Sequence, residues 1–578
     1  LGEYQISLLH TRLAIIDLDH RSDQPFAAND CVLVFNGEIY NYRELRAELE
    51  ELGHEFRTDS DTEVIVKAYR EFGTECLERF EAMWAFALLD QRDQSLLLSR
   101  DRFGEKPLFY ALWDGALLFA SEVKFLAALA GRPPSVNRDQ LKRYLVNGYK
   151  AIYKKPDTFF SDVEEFPAGS FAVLKNLERP VARHFWKLEY RPIKMSMAEA
   201  IEGARERLFE AIKLRLRSDV PIAFCLSGGV DSTVLASIAV NHFGQEIHAF
   251  SIVDRDERYD ESENLAITVG ELGCHHHVTH TSTEGFFERL RKLIAYHDSP
   301  ISTISYYVHA SLSEAIAKNG FKVAISGTGA DELFTGYYDH YAYWLAEMGN
   351  RDDLPDLVGD WQASYGAFVQ NPVLQDPLVF LKAPHERSHI YLNRDFFNSA
   401  LLEPIDEEFV EENYSDSILR NRMMNELVHE SVPVMLHEDD LNSMYFSIEN
   451  RSPYLDRHLT DYMYTVPSEH LIHDGYAKWL LRAASQELAP TEVILDRRKR
   501  GFNASIDSLV DRNDPEIRDH LLCSSPIFDV VRRESVEDLI SGDLTDNSYS
   551  KFLFSFISAK MFLESELVTG TGAEYRTV

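Results

Sequence analysis

FCLSGGVDSTVLA, residues 224–236, runs from an apolar segment into Ser-Gly-Gly-Val-Asp-Ser and straight on into helix-forming residues. Gly228 and Gly229 leave the backbone open to whatever docks above it and permit dihedrals closed to other residues. A strand that ends here and passes at once into a helix presents backbone N–H groups and a helix N-terminus, which favour an anion. A tight strand–helix turn would explain the two glycines alone. It would not explain Asp231, whose carboxylate suits a magnesium ion, or the flanking hydroxyls of Ser227 and Ser232, which can donate to phosphate oxygens. No Walker-type lysine follows, so the usual NTPase loop is excluded.

Working outward, strand and helix patterns alternate. PIAFCL (221–226) leads into STVLASIAVNHFG (232–244), EIHAFSIV (246–253) into SENLAITVGELG (262–273), and KVAISG (322–327) follows a helix ending at AIAKNG (315–320). Such alternation predicts a parallel sheet with helices on both faces, and ligands in such sheets bind beyond the carboxyl ends of the strands. Residues 340–578 read as mainly helical. The front of the chain differs. SLLHTRLAIIDL (7–18) and CVLVFNG (31–37) read as strands, and NYRELRAELEELG (41–53) as a helix with Gly53 as its stop. AMWAFALLDQRDQSLLLSRD (82–101) reads as a hairpin, and RHFWKLEYRPIKMS (183–196), with Pro192, as a linker. At 578 residues the chain is too long for one core, and the pattern divides it into residues 1–188 and 196–578.

The loop SGGVDS resembles that of the ATP pyrophosphatase (adenine nucleotide α-hydrolase) superfamily, whose members adenylate an acid and release pyrophosphate whole. AISGTGADELFTGYYDH (324–340) resembles the second signature of the asparagine synthetase family, and Asp331 matches that family's other magnesium-binding carboxylate. NSMYFSIENRSPYLD (442–456), AKWLLRAA (477–484) and RRKRGF (497–502) resemble further family segments in the same order. The resemblance implies an ATP site at Leu226, Ser227, Gly228, Gly229, Asp231, Ser232, Ser326 and Gly327, with Ile252 lining the adenine pocket. It implies magnesium on Asp231 and Asp331, and contact between Lys478 and both phosphate and the acyl-adenylate. The basic run Arg497–Arg500 fits phosphate neutralisation, although a solvated charge run is the plainer account.

In the front part, LLHTRLAIID (8–17), FNGEIYNY (35–42) and TDSDTEVI (58–65) resemble class II glutamine amidotransferases. By that resemblance Arg12 holds the carboxylate of glutamine, Glu38 and Asp61 hold its ammonium, and Asn36 with the Gly37 N–H forms the oxyanion hole. The implied folds are an α+β Ntn-hydrolase-like αββα sandwich, then a Rossmann-like α/β domain with a mainly helical C-terminal part. Two departures stand out. The family's nucleophile is an N-terminal Cys that uses its own α-amine as base. Here no Cys precedes Cys31, which opens a strand, and the retained glutamine-binding set predicts a missing front segment. The second departure is Thr328, which occupies a position usually acidic and thought to assist ammonia attack. A threonine hydroxyl is a poor proton acceptor, so that work would fall elsewhere or the acceptor acid differs from aspartate.

With 59 basic and 94 acidic residues the formal charge is −35, which argues against nucleic acid as a ligand. No apolar run is long enough to span a membrane, and five scattered cysteines predict a reducing, cytoplasmic setting. CHHH (274–277) lacks zinc-ligand spacing, HDS (297–299) offers triad residue types only by adjacency, and GTGAEY (570–575) lies in a polar tail; all three read as structural. The expected function is asparagine synthesis from aspartate, ATP and glutamine-derived ammonia. The alternatives are the same chemistry on another carboxylate, such as a sugar acid, or a catalytically silent relative. A homo-oligomer is compatible with either.

Overall fold

Trp84, Phe86 and Leu88 alternate along one strand with Ala85 and Ala87, and the two sets belong to different cores. That period of two places one strand between two layers. In a computed structural model, which describes residues 4–570 apart from 177, 254–261, 283, 392–393, 498–505 and 543–546, the layers are explicit. The front half contains β1 (Phe26–Ala28), β2 (Cys31–Ile39), β3 (Ala82–Asp90), β4 (Ser95–Arg100), β5 (Phe109–Trp113), β6 (Ala116–Ala120), β7 (Glu164–Glu165), β8 (Ser170–Leu174) and β9 (Arg183–His184). They form an antiparallel sheet of order β1-β2-β3-β4-β8-β9 and a smaller one of order β6-β5-β7.

Trp84, Phe86 and Leu88 pack on Leu45, Leu49, Val64 and Ile65 of the helices Tyr42–Glu51 and Asp61–Phe72. The opposite face, through Ala85, Ala87, Leu96 and Leu98, meets Leu108, Tyr110 and Phe166. Beyond them Phe109, Ala111 and Trp113 pack on Leu126 and Leu141 of the helices Val123–Ala130 and Arg138–Asn147. This is the expected αββα sandwich. Each buried apolar side chain contributes roughly 1.5–3 kcal/mol to holding it. The hairpin at 82–101 forms as expected, and Gly53 follows the first helix with a positive φ.

The strand expected at 7–18 does not form. Its apolar residues suit a strand, but its polar groups are taken up by other partners. His10 Nε2 binds the Phe35 carbonyl (3.0 Å), and the Asp17 N–H donates to Asp219 (2.8 Å). The segment lies over the end of the larger sheet as an irregular wall.

The second half holds β10 (Ile222–Cys225), β11 (His248–Val253), β12 (His275–His280), β13 (Val323–Ile325) and β14 (Glu449–Arg451) in one parallel sheet of order β12-β11-β10-β13-β14. The order reverses at β10, so a crevice opens between the carboxyl ends of β10 and β13, where such sheets bind ligands. The CHHH stretch forms edge strand β12, with His276 bonded to Ser251 on one face and His275 and His277 stacked with His248 on the other. In HDS, His297 binds Asn442 and Asp298 accepts from the Lys124 N–H, a structural arrangement. The late helix Asn547–Leu563 packs Phe552, Leu553 and Phe556 into the core that holds Leu141 and Leu145 of the front half. Among the described residues no helix is long and apolar enough to cross a membrane.

Candidate active sites

β10 ends at Cys225, and the loop that follows turns through Gly228 at φ 88° into the helix Val230–Asn241. Gly229 caps that helix without any side-chain hydrogen bond, so the first-turn N–H groups face the crevice uncapped by a side chain. The loop is held in shape by its own hydroxyls. Ser232 Oγ accepts from the Ser227 N–H (3.1 Å) and donates to the Gly229 carbonyl (3.3 Å), and Ser227 Oγ accepts from the Gly229 N–H (3.2 Å). Leu226 is buried beneath and donates to the Phe250 carbonyl of β11; Ile252, at the carboxyl end of that strand, is half-buried.

The loop after β13 approaches from the other side of the switch point. A Cβ on Gly327 would lie 3.3 Å from the Asp231 Cβ, so the two loops are in close contact. Asp231 and Asp331 converge on one cation. Lys478 Nζ donates to both oxygens of Asp231 (2.7 and 2.6 Å) and makes a short contact with Asp331 Oδ1. Burial works against the Lys478 charge, but the two carboxylates outweigh it and hold the ammonium above its ordinary pKa. Lys478 stands in the left-handed region at φ 57°, immediately before the helix Trp479–Ser485. A non-glycine residue held there marks a position fixed by its surroundings. Gly336 is required beside it, since a Cβ would fall 1.7 Å from Asp331 Oδ1 and 2.5 Å from Lys478 Cε. Two carboxylates from separate loops, converging on one point of positive charge, make a donor set that suits a small hard cation.

Ser326 and Thr328 lie in the loop that leads into the short helix Ala330–Phe334, which carries Asp331. Ser326 Oγ accepts from Asn450 Nδ2 (3.1 Å) and lies 3.2 Å from Thr328 Oγ1, which donates to Asp439 Oδ2 (3.1 Å). Asp439 comes from the helix Ser431–Met444, more than a hundred residues along the chain. The neighbouring Glu332 is pushed up to about 7 by burial and by Asp331, and accepts from the Tyr337 hydroxyl (2.6 Å).

The front pocket lies at the end of β2. It is lined by Arg12, Asn36, Gly37, Glu38 and Asp61, together with Lys106, Met444 and Glu449. Gly37 has φ 143°, and a Cβ there would lie 2.0 Å from the Met83 carbonyl oxygen, so only glycine fits. Asn36 Nδ2 reaches Ser121 Oγ at 3.4 Å. Asp61 opens the helix Asp61–Phe72 behind the cap Ser60 and accepts from the Ile39 N–H (2.9 Å). Burial pushes Asp61 up to about 6 against that hydrogen bond. Burial, with Asp61 and Glu449 nearby, raises Glu38 well above the usual carboxylate range. Glu38 Oε2 is buried with no hydrogen-bond partner among the described residues, and the guanidinium of Arg451 stands 4.0 Å from Oε1. That guanidinium lies at the limit of ion-pair distance. Arg12 lines this pocket with its guanidinium bound to its own loop, at the Asp19 carbonyl (3.0 Å), the Ile16 carbonyl (3.1 Å) and Asp23 (3.0 Å). Cys31 is buried, and its thiol is pushed up to about 11 by burial, far from a ready nucleophile.

The structure thus gathers the expected residues into two clusters. Of the basic run, Arg497 stacks over Tyr476 and Arg498–Arg500 lie outside the described residues, as do residues 571–575 of GTGAEY. Sequence reasoning missed Asp439, Asn450, Lys106, Met444, Glu449 and Arg451. A buried acidic run in the helix carrying Glu438 and Asp440 was the available signal, but in sequence HEDD reads as a solvated face.

Comparison with known proteins follows the same division. A family described as glutamine amidotransferase domain matches residues 2–186, and one described as asparagine synthase matches residues 203–564. A relative from Methanocaldococcus jannaschii, provisionally named asparagine synthetase [glutamine-hydrolyzing] 2, is 30% identical over 460 residues, 76% of this chain and 84% of its own. Asparagine synthetase [glutamine-hydrolyzing] 1 of Bacillus subtilis is 27% identical over 558 residues, 93% of this chain and 86% of its own. Amidase chyE of Penicillium rubens is 29% identical over 516 residues, 80% of this chain and 75% of its own.

Proposed function

This chain belongs to the asparagine synthase family, and from that premise we propose that it is an ATP-dependent amidotransferase that makes asparagine from aspartate with ammonia from glutamine. The observation that carries the reading is the Asp231–Lys478–Asp331 cluster at the switch point of the parallel sheet. In this reading the backbone N–H groups after Gly228, with the hydroxyls of Ser227 and Ser232, receive the pyrophosphate of ATP. Asp231 and Asp331 would hold Mg²⁺, which would supply charge neutralisation to the phosphates. Lys478, which bridges the two carboxylates, would contact the α-phosphate and the acyl-adenylate. The acid's carboxylate oxygen bonds to the α-phosphorus and pyrophosphate leaves. Ammonia then displaces AMP and gives the amide.

The front pocket serves glutamine: Glu38 and Asp61 receive its ammonium, Asn36 and the Gly37 N–H receive the developing oxyanion, and Arg12 lies on the side of its carboxylate. The division at residues 1–188 and 196–578 is read as glutaminase and synthetase domains. Met444 and Glu449 of the second half help to line the front pocket, which supports passage of ammonia toward that half.

A second reading keeps the chemistry and changes the acid. Thr328, where an acidic residue is usual, and the likeness to a protein named an amidase favour it. A silent relative is disfavoured because Asp231, Asp331 and Lys478 are all in place. The test supplies ammonium, ATP and magnesium with aspartate, or separately with a panel of amino and sugar acids, and follows pyrophosphate and amide together. Aspartate giving matched pyrophosphate and asparagine supports the first reading. Inert aspartate beside another active acid supports the second, and pyrophosphate release with no acid at all would overturn both.

A further inference from the structure

In the ligase reading Thr328 occupies the position at which the family resemblance implies a proton acceptor for the incoming nitrogen, and a threonine hydroxyl is a poor one. The structure places a carboxylate directly behind it. Thr328 Oγ1 donates to Asp439 Oδ2 at 3.1 Å, and His309 Nδ1 lies 3.8 Å from the other carboxylate oxygen. Asp439 retains 18% side-chain exposure, so its carboxylate is not sealed in the core.

Its position along the helix Ser431–Met444 adds a second, independent observation. The next residue, Asp440, accepts from Lys106 Nζ (2.7 Å), and both are buried. Lys106 lines the front pocket, as does Met444 at the end of the same helix. Asp439 therefore stands where the helix passes from the wall of the front pocket to the loop Ser326–Thr328. Ammonia leaving the first site for the second would meet this carboxylate beside the acyl group.

We infer that Asp439 is the proton acceptor for attack on the acyl-adenylate and that Thr328 is a positioning residue that holds its carboxylate; this rests on the ligase reading above. The step balances as follows. The nitrogen lone pair forms the new N–C bond, and the C–O bond to the AMP phosphate breaks with its electron pair leaving on AMP. One proton passes from the nitrogen to Asp439 and from there to solvent. The carboxylate that the loop lacks at position 328 is thus supplied by a different element, reached through one hydrogen bond.

The experiment separates the two half-reactions. Acid-dependent ATP–pyrophosphate exchange reports adenylation, and amide formation with ammonium reports attack, both measured on the full chain with aspartate or whichever acid supports exchange. Asp439→Asn is expected to lower amide formation by about 10²–10⁴-fold, the scale of general-base catalysis, and by far more than it lowers exchange. Hydroxylamine, a much weaker base than ammonia, forms a more acidic adduct that sheds its proton with less help, so it should recover much of the loss as hydroxamate, a response a purely structural residue would not give. Thr328→Val keeps the shape, loses the hydrogen bond and should slow amide formation to a smaller extent. Thr328→Glu placed in the Asp439→Asn background should restore activity by returning a carboxylate to the loop. Amide formation at the wild-type rate by Asp439→Asn, or equal loss of exchange and amide with no response to hydroxylamine, would overturn the inference while leaving the ligase reading intact. A wild-type protein that exchanges pyrophosphate with no acid would overturn that reading, and the inference with it.

Discussion

Two pairs of carboxylates face two pockets, and they are treated in opposite ways. At the switch point Asp231 and Asp331 share the buried ammonium of Lys478. In the front pocket Glu38 and Asp61 are shielded more fully from water than the first pair, and among the described residues the nearest cation to Glu38 is a guanidinium 4.0 Å away. Burial disfavours a charge in both places. At the first pair a lysine from a distant part of the chain lies between the two carboxylates. The second is raised, with Asp61 at about 6. One site thus carries its own stand-in cation, and the other is left short of one. Under the proposed function the first site would take a metal–nucleotide complex able to displace a lysine, and the second a substrate that brings its own ammonium.

The largest test of this contrast removes the lysine. Lys478→Met removes the ammonium that two facing carboxylates share, and breaking a buried ion pair from one side costs about 3–5 kcal/mol. Denaturant unfolding should show a loss of that size, partly recovered by millimolar magnesium. ATP-dependent pyrophosphate release should fall by about 10²–10³-fold, the scale seen when one stabilising group is removed from a developing charge. A stable Lys478→Met protein, indifferent to magnesium, would break the comparison at its first term.

The front pair predicts the reverse sign. Asp61 has a folded-state pKa of about 6 against an ordinary 3.8. Because the folded value is the higher one, its stabilising contribution is complete below pH 3.8 and is lost as pH rises through 6. Two units correspond to about 3 kcal/mol. Asp61→Asn should therefore stabilise the protein at pH 7 and flatten its unfolding free energy between pH 4 and 6, unlike the lysine variant. Glutamine, by bringing an ammonium, should lower the Asp61 pKa and release protons on binding below pH 7, measured by calorimetry in two buffers of different ionisation enthalpy. Binding without proton release would show that the substrate's ammonium lies elsewhere.

Gly37 sharpens the comparison from the backbone side. Gly37→Ala drives a methyl to 2.0 Å from the Met83 carbonyl, and β2 and β3 must separate to admit it. Overpacking of this kind costs about 1–3 kcal/mol. The variant should lose glutamine binding and keep ammonium-dependent pyrophosphate release, because the two pockets are built on different sheets. Equal loss of both would mean that the pockets are mechanically one.

The same contrast explains what the sequence made legible. SGGVDS could be read because a turn under a phosphate needs its glycines and hydroxyls within a few consecutive residues, and NGE could be read because Gly37 has no substitute. The hairpin and the parallel sheet followed from side-chain period alone. The apolar stretch at 7–18 has strand composition, but its polar groups bind Phe35 and Asp219 instead of a sheet edge, and pairing is decided by the rest of the chain. Lys106, Asp439 and Glu449 were invisible for a related reason. Each acts on a partner brought near only by folding, Lys106 across 334 residues to Asp440 and Asp439 across 111 to Thr328. Local backbone demands are written locally, whereas charge compensation is written anywhere in the chain.

The smallest test acts on the raised pair without touching a charge. Ser60 accepts from the Thr62 N–H (3.1 Å), capping the helix Asp61–Phe72, and donates to Asp61 Oδ1 (3.3 Å). Ser60→Ala removes the cap, at a cost of about 1 kcal/mol. It also removes one hydrogen bond that favours the ionised carboxylate, so the Asp61 pKa should rise further. The two effects separate by pH. The cap is lost at every pH, while the hydrogen bond matters only where Asp61 is ionised, so the variant should be more destabilised at pH 8 than at pH 4. Ser60→Ala in the Asp61→Asn background should retain the first loss and abolish the pH-dependent remainder. If the two backgrounds behave alike, burial alone sets the Asp61 pKa, and the contrast between the pockets reduces to the presence or absence of a lysine.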